Sequence, residues 1–221
     1  MKKEVGFIAA GQAGGNIGQL LEKKGYSVLY INTSMEDLGT LADSAHKFHL
    51  EGGEGCNKDR VKAKKVLAGN LDKVLEQVRK KLPQKILFII FSAGGGTGSG
   101  IGPAFTDIIQ QELDRTVGAI TILPSEEESV KAHINAYECV KELADIQEMG
   151  AAFFLDNNNT KNKMRLNEQF VRLLDNFICI PDRRSSTLGN IDRAEIKEVL
   201  GTKGAAVICC LYRQNSRDNT A

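Results

Sequence analysis

Along this chain, compact apolar runs alternate with longer stretches in which apolar residues return every three or four positions. The runs at 5–10, 27–31, 86–92, 117–123 and 151–155 read as strands, with a brief one near Phe48. Between them the spacing predicts helices over 16–24, 35–42, 59–82, 98–115 and 125–149, and a long one over about 163–179. The 59–82 stretch is the clearest, with Leu67, Leu71, Val74, Leu75, Val78 and Leu82 on one helical face. The 86–92 run is apolar almost throughout and bounded by lysine and glycine, as a central parallel strand buried on both faces should be. Strand and helix alternating from the first residue predict βαβ units: an α/β, Rossmann-like three-layer sandwich around a mostly parallel sheet.

After the long helix, Pro181 is expected to break the pattern, and 183–189 reads as a polar loop. A last helix over 192–200 stops at Gly201, 205–212 reads as one more buried strand, and 213–221 is polar.

Composition narrows the function classes. The 221 residues carry 29 basic and 28 acidic side chains, a balance that argues against direct nucleic-acid or membrane binding. The longest apolar runs, 86–91 and 205–211, fall far short of the roughly 20 residues that cross a bilayer. Five cysteines form no CxxC pair, so reduced thiols and a cytoplasmic location are expected, with Cys209 and Cys210 in the last strand. Three histidines without further nitrogen or sulfur ligands give no zinc site. From Lys58 to Lys81 nine basic residues face three acids, but without interleaved aromatics this reads as a solvated helix face before a partner surface.

The 22 glycines are clustered, and the clusters carry the chemistry. Gly94, Gly95, Gly96, Thr97, Gly98, Ser99 and Gly100 follow the 86–92 strand and open a helix. Such a turn lets successive backbone N–H groups converge on anionic oxygen, and the helix start adds its own unpaired donors. Gly11, Gln12, Ala13, Gly14, Gly15 and Asn16 occupy the equivalent place after the first strand, where phosphates sit in a doubly wound sheet. A third cluster spans 52–57. GxGxxG fails because Ala13 and Asn16 stand at its glycine positions, and Asn32 replaces the ribose-binding acid. The P-loop fails because no lysine follows a glycine at its spacing.

The sequence GGGTGSG at 94–100 resembles the signature of tubulins and the division protein FtsZ. GQAGGNIG at 11–18 is similar to the first phosphate loop of tubulins, GEGCN at 53–57 to the third loop, and Asn32-Thr33 to the start of the second. The order holds along almost the whole chain, and the plasmid- and phage-borne partition branch, TubZ, is the most similar.

The resemblance implies GTP or GDP bound with Mg²⁺ on the loops 11–16 and 94–100, with Gln12 near the metal. It implies Glu128 at the ribose and Asn157 and Asn167 at guanine, whose edge suits amides. Ser125 with Glu128 is equally a capping box, and Asn157 equally a turn residue. Asn190, Asp192 and Glu195 match the family's catalytic loop, which enters the neighbouring subunit's site and polarises the attacking water; Asp192 with Glu195 is also a helix cap. Glu54 and Lys163 depart from the family and are not carried over as ligands.

The implied organisation is a GTP-binding domain at 1–182 with the long central helix at its C-terminal end, the catalytic loop and following helix at 183–203, and the start of a second domain at 204–221. The implied function is an assembly-dependent GTPase in a head-to-tail filament of itself, moving plasmid or phage DNA through a DNA-binding adaptor protein. Alternatives are a cell-division filament protein or a non-hydrolysing guanine-nucleotide regulator. With only the start of a second domain, the chain is expected to bind GTP but assemble poorly.

Overall fold

The structure, a computed structural model, describes residues 1–183 and 189–209. Seven parallel strands form one sheet: β1 (Val5–Ala10), β2 (Ser27–Asn32), β3 (His46–His49), β4 (Ile86–Ser92), β5 (Thr116–Leu123), β6 (Ala151–Asp156) and β7 (Gly204–Ala205), in the order β3-β2-β1-β4-β5-β6-β7. Alternation along β1 and β4 sorts their side chains between two cores. Ile8, Leu87, Ile89 and Phe91 enter one; Val5, Phe7, Phe88 and Ile90 enter the other.

The first core is closed by α3 (Arg60–Lys81), α4 (Thr97–Leu113) and α5 (Val130–Asp145). The second is closed by α1 (Gly11–Lys23), the short α2 (Met35–Gly39), α6 (Lys163–Ile178) and α8 (Arg193–Gly201). Phe7, Phe88, Phe153 and Phe170 form a ladder with successive ring centroids 6.1, 5.8 and 5.7 Å apart, which seats α6 on the sheet. The result is the three-layer α/β sandwich that the alternating pattern implies.

Several boundaries differ from the sequence reading. The first helix begins at Gly11, so the glycine cluster forms its opening turns instead of a loop before them. This is possible because Gly14 passes directly over β4: a Cβ there would lie 2.4 Å from the Ile90 carbonyl oxygen. The fifth helix starts at Val130, leaving 124–129 as a loop that contains a turn, and ends at Asp145. The long helix does end just before Pro181, at Ile178, but Pro181 itself sits in a further helical turn, α7 (Ile180–Arg183), where a missing N–H costs nothing.

The buried strand expected over 205–212 is corrected. The described strand is Gly204–Ala205 alone and exposed, with one further ladder bond from the Ala206 N–H to the Ala152 carbonyl. Val207 is 83% exposed and Cys209 is exposed too, while the alternate residues Ala206 and Ile208 pack partly against the second core, so only one face of this edge is covered among the described residues. Residues 210–212, Cys210 among them, and 213–221 lie outside the described residues, as do 184–188 of the expected polar loop. Among the described residues no helix is long and apolar enough to cross a membrane.

The basic face of α3 is largely paired. Arg60 and Lys64 both bind Glu142, Lys73 binds Glu51, Lys80 binds Glu76, and Lys62 donates to the Gly55 carbonyl.

Candidate functional site

The strand order reverses between β1 and β4, and the loops leaving their carboxyl ends open α1 and α4 side by side. Neither helix has a side-chain cap: Ala10 and Gly96 hold the N-cap positions. Their first N–H groups therefore have no side-chain acceptor, and both positive dipole ends point to the same edge. The starts are adjacent, since a Cβ on Gly11 would lie 3.5 Å from the Gly98 nitrogen. Gln12 and Asn16 are exposed at the opening turns of α1. Gly11, Gln12, Gly15, Asn16 and Asn32 line a narrow cleft between α1 and β2. Gly15 is buried, yet a Cβ there would meet nothing within 4 Å.

Thr33 gathers the other loops to this edge. Its hydroxyl lies 2.8 Å from that of Thr97 and accepts from Cys56 Sγ at 3.6 Å, and its carbonyl accepts from the Gly55 N–H at 3.1 Å. The segment 52–58 turns sharply to make these contacts, with Glu54, Asn57 and Lys58 in the left-handed region at φ 39, 41 and 58°. Gly96 packs against it so closely that a Cβ would lie 2.7 Å from the Lys58 nitrogen. Two predicted ligands have their side-chain groups engaged within the loops, although Asn32 also lines the cleft. Asn32 Nδ2 donates to Asp37 and its Oδ1 accepts from the Ser34 N–H, while the buried Ser99 hydroxyl donates to the Gly95 carbonyl. Both shape the loops.

Farther along the same edge are the two amides expected to read a base. Asn157 lies in the turn after β6 at 9% exposure and Asn167 on α6 at 7%. Neither side chain hydrogen-bonds to another described residue. Lys163, one turn before Asn167 on the same helical face, pairs with Glu128 at 3.3 Å. The Ser125 N–H donates to Glu128 at 3.4 Å, but this reciprocal turn stands ahead of the helix and does not cap it, since Ser129 is the N-cap of α5. The Glu126 N–H donates to Asn158 Oδ1 at 2.8 Å, tying the 124–129 loop to the turn after β6.

The acidic pair lies elsewhere. Asp192 caps α8 with Glu195 in a reciprocal box, and the next residue, Arg193, reaches Glu4, just before β1 begins. Asp192 and Glu195 therefore sit at the amino ends of the strands, a strand length from the glycine loops, and Asn190 is exposed two residues earlier. The base of this loop is ionic: Asp182 binds Arg193, and Arg183 binds the buried Asp175, which also takes Lys2 and the Tyr26 hydroxyl.

Two contributors have no signature in the sequence. Asn135 on α5 reaches backbone carbonyls of the glycine loop, and Arg60 donates twice to the Ser99 carbonyl, at 3.3 and 3.2 Å. Neither stands in a motif; only the fold brings them to the loop.

The donor set fits a nucleotide polyphosphate: two uncapped helix starts for anionic oxygen, and two amides farther along. Among the described residues no group of three or more His, Cys, Asp or Glu could hold a metal ion.

Residues 4–165 match the Tubulin/FtsZ family, GTPase domain. The Tubulin-like protein TubZ of a Clostridium botulinum C phage is 31% identical over 94% of this chain and 60% of its own length. The solved structure of Clostridium botulinum phage c-st TubZ, truncated in its C-terminal tail, superposes with a TM-score of 0.82 at 30% identity, over 92% of this chain and 68% of that one. A GTPγS-form protofilament of Bacillus thuringiensis serovar israelensis TubZ shares the fold, with a TM-score of 0.79 at 20% identity over 91% of this chain and 63% of that one. The chain thus spans about 60% of the length of its curated TubZ relative.

Proposed function

The chain belongs to the Tubulin/FtsZ family, GTPase domain, and on that premise we propose that it binds GTP and GDP with Mg²⁺ and hydrolyses GTP only between subunits. The phosphates lie on the starts of α1 and α4, the ribose near Glu128, and the guanine edge on Asn157 and Asn167. Bound Mg²⁺ supplies charge neutralisation on the phosphates.

One observation carries the reading: the glycine loops leave the carboxyl ends of β1 and β4, while Asp192 and Glu195 stand beside the amino end of β1. A six-residue strand at about 3.3 Å per residue separates them by roughly 20 Å. The pair therefore cannot reach a nucleotide on its own subunit. Head-to-tail stacking apposes one edge to the other, so the acids of one copy orient the water at the γ-phosphate of the next. Water attacks phosphorus, the bond to the bridging oxygen breaks, the water proton passes to the acidic pair or to phosphate, and GDP and phosphate remain.

The TubZ likeness and the near-neutral charge support a filament that moves plasmid or phage DNA through an adaptor protein in the cytoplasm. The test is GTP turnover against protein concentration in the full-length protein. Specific activity that rises with concentration and is lost in Glu195→Gln, which can keep the helix cap, supports hydrolysis between subunits. Specific activity independent of concentration and unchanged in that variant overturns it.

A further inference from the structure

Asn135 is 6% exposed on the inner face of α5, and its single Nδ2 group stands among three backbone carbonyls. It lies 3.4 Å from the Gly94 oxygen, 3.1 Å from the Gly95 oxygen and 3.1 Å from the Lys58 oxygen. Two of these belong to the glycine loop that opens α4, and the third belongs to the strained 52–58 segment, 36 residues earlier in the chain than Gly94. One primary amide, with two protons, is thus shared between the two loops.

Within a peptide unit the C=O and N–H point in opposite directions. Holding the Gly94 and Gly95 carbonyls toward α5 turns the N–H groups of Gly95 and Gly96 away from it. That is the orientation an anion nest requires, and the glycines have no side chains to enforce it. Arg60, bound to the Ser99 carbonyl, does the same one turn later. Lys58 is held twice, through its carbonyl by Asn135 and through its ammonium by Ser129 Oγ at 2.8 Å, so the start of α5 fixes the 52–58 segment as well.

We propose that Asn135 is a positioning residue that locks the glycine loop and the 52–58 segment into one cradle and thereby sets the preference for a nucleoside triphosphate over the diphosphate. The two helix starts suffice for a diphosphate. A third phosphoryl group extends the anion toward the 52–58 segment, which packs on Gly96 and Thr33 beside the start of α4. Its added affinity depends on the spacing of the two loops, and Asn135 is the side chain that spans them. This rests on the nucleotide-binding reading above.

The experiment measures GTP and GDP affinity by calorimetry for the unmodified protein, Asn135→Asp and the milder Asn135→Ser, with thermal unfolding alongside. Asn135→Asp keeps the shape but, when ionised, sets an acceptor against three acceptors. GTP binding should weaken about tenfold or more, the worth of one or two hydrogen bonds, and GDP binding by clearly less. As pH is lowered the carboxyl regains one donor, and the GTP-to-GDP ratio of Asn135→Asp should move back toward that of the unmodified protein at the same pH. Asn135→Ser, a short donor that reaches one carbonyl at most, should fall between. Equal losses for GTP and GDP, or a ratio unmoved by pH, would reduce Asn135 to a structural residue and overturn the inference. If the unmodified protein binds neither nucleotide, the nucleotide-binding reading fails first.

Discussion

Asp192 and Glu195 cap each other: the Glu195 N–H donates to Asp192 Oδ1 at 2.9 Å, and the Asp192 N–H donates to Glu195 Oε2 at 2.7 Å. The acids proposed to act in the neighbouring subunit thus also start α8, and a substitution that removes the cap confounds two effects. Glu195→Gln separates them, because an amide oxygen can still accept the Asp192 N–H while the charge is lost. The expected outcome is an unchanged melting temperature with GTP turnover reduced about tenfold or more in the full-length protein. Glu195→Ala should lose turnover and about 1 kcal/mol of stability together. Phosphate release and thermal unfolding check both.

Asn157 and Asn167 invite the opposite test. Buried amides that bond to no described side chain or backbone group contribute little to folding. Asn167→Ala should leave stability within about 1 kcal/mol of the unmodified protein and weaken guanine-nucleotide binding by about tenfold or more. Calorimetry beside thermal unfolding decides; a large loss of stability would mean the amide has a structural partner instead.

Gly15→Ala splits the two properties in sign. The position is helical and a Cβ meets nothing within 4 Å, so the free protein should gain up to about 1 kcal/mol. The added methyl group enters the cleft lined by Gln12, Asn16 and Asn32, so nucleotide affinity should fall. A variant that is stabilised and binds as before would place the phosphates elsewhere.

Acid should weaken the base of the acidic loop. Burial pushes the Asp175 carboxyl up, but hydrogen bonds from Lys2, Arg183 and Tyr26 together outweigh it and hold it below its ordinary value of 3.8. A carboxylate held low in the folded state stabilises it fully above that ordinary value. The contribution is lost as pH falls from 3.8 through the lower folded-state value. Asp175→Asn should flatten this part of the stability profile, measured by denaturant unfolding across acidic pH. An unchanged acid limb would contradict the assignment.

Most of the sheet was legible in the sequence because each strand is a short apolar run between polar or glycine boundaries; 86–92 matches β4 to the residue. The start of α1 was not, because glycine carries no helical periodicity; the opening turns are helical from Gly11, and Gly14 among them passes closely over β4, a tertiary contact. The 205–212 run failed for a related reason. An apolar run predicts a buried strand only if something covers it, and in the described residues little does. Within the site, the glycine clusters were legible as the turns that follow β1 and β4 and open helices at the carboxyl edge of the sheet, while Asn135 and Arg60 were not. Their task is to hold backbone carbonyls across the fold, which no local spacing encodes.

The account depends most on a guanine nucleotide held across the starts of α1 and α4. Calorimetric titration with GTP, GDP and ATP, repeated on Gly96→Ala, tests this directly. The predicted result is one guanine nucleotide per chain, ATP binding much more weakly, and a marked loss in Gly96→Ala, whose added methyl group drives Lys58 away from the glycine loop. Absence of GTP binding, or equal affinity for ATP and for Gly96→Ala, would contradict it.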